Sequence, residues 1–216
     1  MTYDFSIIGV LKESLNRADG VKGKFIGALI IFVILTLLTN SILEFVFPSI
    51  ESKLNPFIAS FISGIITVPV HVGVMMLGVS RAREENFEIA DMFNYFVMAM
   101  PIVITYIFTT LMLYLGFILL ILPGIYLSVA YAFSYMLIVD KGLGTWEAME
   151  LSRKTVTKQW FKFFGLSLLI GLTILVSIIP LGIGLIWTLP MAYITYGLLY
   201  HHLFDDEEVI IELKND

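Results

Sequence analysis

The chain has 216 residues, of which 58% are hydrophobic and only 14% charged, with a mean hydropathy of +0.91 and a formal net charge of -5. An ordinary soluble domain is about half apolar and about a quarter charged, so this chain has too few polar residues to cover a water-exposed surface, and the excess must face lipid. The absence of cysteine excludes disulfides, thiolate metal sites and a cysteine nucleophile.

The first predicted element is an amphipathic helix over residues 4–17, "DFSIIGVLKESLNR", with Ile8, Leu11 and Leu15 on one stripe and Lys12, Glu13, Asn16 and Arg17 away from it. This mixed-charge lead is unlike a cleavable signal, and the apolar segment that follows is expected to stay in the protein. A helical crossing needs about 20 mostly apolar residues. Two uncharged blocks, Phe25 to Leu43 and Leu54 to Ser80, supply one crossing each. Two longer blocks, Met92 to Val139 and Phe163 to Tyr200, hold 48 and 38 residues and supply two crossings each if they turn back on themselves.

The turns are expected at "LLILPGIYLSV", around Pro123 and Gly124, and at "IIPLGIGLIW", around Pro180, Gly182 and Gly184. Proline suits the first turn of a new helix and glycine permits a tight path beside the preceding one. With these turns, segments 1–24, 81–91, 140–162 and 201–216 share one side, and they carry 12 of the 13 lysines and arginines; only Lys53 is opposite. That split predicts an all-α polytopic membrane bundle with both termini cytoplasmic and six spans, about 24–46, 57–80, 96–119, 122–140, 162–180 and 184–203. A second amphipathic helix, 145–158, starts after Gly144 with Glu147 and Glu150 early and Arg153, Lys154 and Lys158 late, as the helix dipole favours. Both amphipathic helices are expected at the cytoplasmic interface, anchored by Trp146 and Trp160. The expected organisation is one membrane domain, 1–204, followed by an acidic tail, 205–216.

The stretch Leu119 to Trp160 carries Pro123, Gly124, Ile125, Tyr126, Asp140, Glu147, Ala148, Ser152, Arg153 and Trp160 in an order that resembles a group of uncharacterised bacterial integral membrane proteins. The group includes YciC-like proteins and the membrane domain fused to some glycerophosphodiester phosphodiesterases. The resemblance covers about a fifth of the chain. It implies a multi-pass protein of the bacterial inner membrane, and it brings no catalytic residue or cofactor with it.

Candidate functional residues fall in two groups. His71 lies deep in the second span, and Thr105, Tyr106, Tyr131 and Thr173 come to a similar depth, so a polar layer around His71 is geometrically open. The competing reading is a neutral histidine bonded to a backbone carbonyl or a hydroxyl. Arg153, Lys154, Lys158 and Lys162, interleaved with Trp160, form a cationic aromatic surface suited to anionic lipid headgroups, although retention of cations inside the cell explains the same charges. Thr36, Asn40 and Glu44 share one face of the first span, and small residues four apart (Ala59 with Ser63, Ser60 with Gly64, Ser167 with Gly171) allow close contact with a homo-oligomer or membrane-protein partner. His201 and His202 lack recognisable metal-ligand spacing. There is no phosphate loop, H-E-x-x-H or G-x-S-x-G, and nucleic-acid binding is not indicated. The expected function is therefore non-enzymatic and without a cofactor: a scaffold or lipid-interacting accessory protein. The alternative is a small transporter or channel built on His71.

Overall fold

The computed structural model describes residues 4–46 and 56–205, with side chains described from Ala59 onward in the second stretch. The elements in chain order are α1 (Ile7–Ala18), α2 (Lys22–Val46), α3 (Pro56–Ala82), a 3-10 helix (Ile89–Met98), α4 (Ala99–Leu119), α5 (Ile121–Ala130), α6 (Ser134–Lys141), α7 (Thr145–Thr157), α8 (Trp160–Ile178) and α9 (Leu185–Phe204). There is no strand among the described residues.

Five stretches are long and apolar enough to cross a membrane: Lys22–Val46, Ala59–Ala82, Ile89–Leu119, Ile121–Lys141 and Trp160–Ile178. The sixth expected span, α9, is not among them. Its composition follows from its place in the bundle, since Thr188, Thr195, Gly197, Tyr200 and most of its other residues are buried against protein. A helix that faces other helices need not be as apolar as one that faces lipid.

Both long apolar blocks reverse where the Pro/Gly breaks stand. Leu120 is extended (φ -163°, ψ 150°), and α5 begins one residue later with Pro123 in its first turn. Gly124 then lies against Gly116 and the ring of Phe117, so α5 runs back along α4. At the second reversal Gly182 has φ +79°, a conformation open to glycine at little cost, and Gly184 packs on Ser177.

The bundle core forms where α3 crosses α9. A Cβ built on Gly78 would sit 2.8 Å from the carbonyl carbon of Tyr193, and one on Gly197 would be 2.8 Å from the nitrogen of Val79. These two glycines let the backbones meet, and Val74, Leu77, Ile194 and Leu198 close around them.

One feature differs from the sequence expectation, and a second was not foreseen. The predicted span 122–140 is interrupted: α5 stops at Ala130 and α6 starts at Ser134. Ser152 of α7 occupies the interruption, donating to the Ala130 carbonyl at 2.7 Å and accepting from the Phe133 amide at 3.2 Å. In α1 the buried face is Val10, Ser14 and Ala18, whereas Ile8 stays 75% and Leu15 41% exposed. The smaller residues face inward because α1 lies close along α9, with the hydroxyls of Ser14 and Thr195 2.7 Å apart.

Candidate functional site

The charged segments are bonded to one another. Lys162 pairs with Asp4. Arg17 donates to the Ala82 carbonyl at 2.9 Å and lies 3.3 Å from Glu84, while Arg81 donates to the Arg17 carbonyl at 2.7 Å. Lys24 reaches the Phe87 carbonyl at 2.5 Å and Glu88 at 3.1 Å. Segments 1–24, 81–91 and 140–162 are thus linked through residues far apart in sequence, and 201–205 joins them through Asp205.

The densest of these contacts joins the ends of α3, α6 and α9. Arg83 makes two 2.8 Å hydrogen bonds to Asp140, one of 2.7 Å from Nε to Asp205, and a further bond to Asp205 through Nη2. Lys141 lies 3.2 Å from Asp140 and 3.3 Å from Asp205; the Tyr200 hydroxyl donates to Asp140 at 2.9 Å, and His201 Nδ1 is 2.6 Å from Asp205. The hydrogen bonds from Arg83 to Asp140 and Asp205 raise its guanidinium above the ordinary arginine value despite burial. Burial pushes the Asp205 carboxyl up, but the bonds from Arg83 and His201 outweigh it and hold that carboxyl well below the usual range. Asp205, the first residue of the expected acidic tail, bonds Arg83, Lys141 and His201; residues 206–216, like Lys53, lie outside the described residues.

An open groove of about 510 Å³ is lined by Tyr126, Thr157, Lys158, Gln159, Trp160, Phe161 and Lys162. It exists because α7 runs back along α5 and α6: Ser152 meets Ala130, and Thr157 and Trp160 meet Tyr126. The Trp160 indole donates to the Tyr126 carbonyl at 3.3 Å and stacks on Phe164 at 5.0 Å, and the Tyr126 and Thr157 hydroxyls are 2.6 Å apart. Phe161 projects outward, 84% exposed. Of the five residues predicted to contact anionic lipid, Lys158, Trp160 and Lys162 line the groove. Arg153 adjoins it through Tyr126 but is neutralised by Glu150, at 2.8 and 2.6 Å. Lys154 sits partly exposed on α7, outside the groove lining. Tyr126 was visible in sequence only as part of the Pro-Gly-Ile-Tyr resemblance, because nothing local to it shows that α7 returns to its side.

The five residues of the expected polar layer are not joined by hydrogen bonds to one another. His71 lies in a seam of α2, α3 and α9, its ring 5.4 Å from Phe32 and 6.3 Å from Tyr193, and it makes no hydrogen bond among the described residues. Thr105 is buried, bonded to Pro101 and 3.0 Å from the Thr145 hydroxyl. Tyr106 stacks on Phe61 at 5.5 Å and covers Gly64. Tyr131 ends α5 beside Arg153, and the Thr173 hydroxyl donates to the Leu169 carbonyl of its own helix. The His201 and His202 rings are nearly perpendicular, and no group of three or more metal-ligating side chains occurs among the described residues.

No family model, curated protein or solved structure matches this chain.

Proposed function

We propose that this is a non-enzymatic, lipid-interacting accessory protein of the bacterial inner membrane, with six crossings, both termini in the cytoplasm and α1 and α7 at the cytoplasmic interface. The observation that carries it is the groove of Lys158, Lys162, Trp160, Phe161 and Tyr126 at the meeting point of α5, α7 and α8. The ammonium groups of Lys158 and Lys162, the latter shared with Asp4, stand beside an apolar, aromatic wall and match the phosphate and adjoining acyl chain of an anionic phospholipid. Each cation near such a surface contributes on the order of 1 kcal/mol. The mutual bonding of the four cationic segments supports a common side for all of them, and so supports counting α9 as a crossing. The YciC-like resemblance agrees with this reading through Tyr126, Ser152, Arg153 and Trp160, which all meet around α7.

The test is lipid retention. Protein in nanodiscs holding a minor fraction of phosphatidylglycerol in phosphatidylcholine is extracted, and its bound lipid is measured by native mass spectrometry. K158Q/K162Q is expected to lose phosphatidylglycerol enrichment several-fold, and unchanged enrichment would refute the site. Competition by millimolar inorganic phosphate would identify a soluble phosphate ligand rather than a lipid.

A second reading, transport of a weakly polar solute, draws on one feature: neither the His71 ring nor the Tyr193 hydroxyl has a hydrogen-bond partner among the described residues, although their rings are adjacent. Intramembrane ionisable groups often mark pathways. Flux in proteoliposomes that persists unchanged in His71→Ala would remove His71 from that mechanism.

A further inference from the structure

The second helix is almost unpacked. Of the 25 residues in α2 only Phe25 and Ala28 are buried. Beyond Leu35 the helix exposes Leu37 at 60%, Ile42 at 59% and Phe45 at 87%, as a helix facing lipid does. Within this apolar half stands Asn40, which is exposed and makes no hydrogen bond among the described residues. It lies 16 residues beyond Lys24, about 24 Å along the axis, inside a hydrocarbon layer of about 30 Å. Thr36, one turn earlier, satisfies itself on the Phe32 carbonyl at 2.9 Å. Asn40 does not, and lipid tails offer its carboxamide neither donor nor acceptor. The small-residue faces expected to serve assembly are already largely used inside the chain: Ser63 is buried, Gly64 lies under Tyr106, and Ser167 is 2.9 Å from the Tyr196 hydroxyl.

We propose that α2 pairs with α2 of a second copy of this chain across a twofold axis, with Asn40 of each copy donating to and accepting from the other. A carboxamide is the side chain suited to this, because it carries donor and acceptor together and is complementary to itself. A buried asparagine pair fixes register and favours two strands, and polar side chains hold membrane helices together in the same way. The contact face is Val33, Thr36, Leu37, Asn40 and Glu44, which share one side of the helix; Leu38 and Ile42 point away. The two Glu44 carboxylates repel, so the helices cross near Asn40 and diverge beyond it.

The chain contains no cysteine, so single cysteines report the contact without background. V33C, L37C and N40C, oxidised with copper phenanthroline in native membranes, are expected to give a disulfide-linked dimer, and L38C and I42C little or none. In the L37C background, N40L is expected to reduce the cross-link several-fold, whereas N40Q retains it. Equal cross-linking at all positions, none at any, or adducts whose mass differs from twice the monomer would overturn the proposal; the last would point to a different membrane protein on this face.

Discussion

Arg83 and Asp140, 57 residues apart in sequence, are joined by two parallel hydrogen bonds of 2.8 Å, and the same guanidinium bonds Asp205 at the end of α9. Their side chains are only 21%, 13% and 20% exposed. Removing the guanidinium would leave the two carboxylates with Lys141 as the cation between them in a partly desolvated site. Breaking a fully buried pair costs about 3–5 kcal/mol, and partial exposure lowers this. Arg83→Gln is expected to destabilise the protein by about 2 kcal/mol, read as a lower unfolding midpoint in detergent. Asp140→Asn is expected to cost less, because Arg83 keeps Asp205.

The same cluster sets an acid limit. The Asp205 carboxyl is held below its ordinary value in the folded protein, so its contribution is complete above the unfolded pKa, about 3.9 for aspartate. That contribution is lost as pH falls below about 4 toward the depressed folded value. Thermal unfolding between pH 6 and pH 3 is expected to show a steeper acid decline in the wild-type protein than in Asp205→Asn, which lacks the titrating group. Parallel profiles would mean that Asp205 adds no pH-dependent stability.

Ser152 substitutes for helix hydrogen bonding where α5 gives way to α6, through the Ala130 carbonyl and the Phe133 amide. Ser152→Ala removes both partners at a fully buried position. Leaving buried backbone groups unpaired costs about 1–3 kcal/mol. The expected result is a loss of that size in unfolding free energy, with faster amide exchange confined to residues around 130–134.

What was legible in the sequence was what length and backbone chemistry enforce. A 48-residue uncharged block cannot be one crossing, and Pro123 with Gly124 or Gly182 with Gly184 marks where it reverses. The interruption at 131–133 carries neither proline nor glycine; it is imposed by Ser152 from another helix, so no local pattern announces it. The stripe of Ile8, Leu11 and Leu15 marked α1 as amphipathic, but the face that meets α9, Val10, Ser14 and Ala18, was not legible, because close approach selects small residues that carry no strong apolar signal. The Arg83 cluster draws its members from three helix ends with no common spacing. The groove was half legible: the run from Lys158 to Lys162 stood out by its cations and rings, while Tyr126, its opposite wall, comes from α5.

The α3–α9 crossing tests the close-packing argument directly. Gly78 and Gly197 have backbone atoms of the facing helix where a Cβ would go, and backbone cannot swing aside as a flexible side chain can. Gly171 on α8 has no heavy atom within 4 Å of that position. Alanine in a helix interior is intrinsically favoured over glycine by about 1 kcal/mol, so propensity alone would make all three substitutions stabilising. Packing reverses the sign at the crossing. Gly78→Ala and Gly197→Ala are expected to destabilise, with overpacking costs of about 1–3 kcal/mol, whereas Gly171→Ala is expected to be neutral or slightly stabilising. Equilibrium unfolding of the three variants in one detergent decides it: equal effects at all three positions would mean that the two helices do not meet at these glycines.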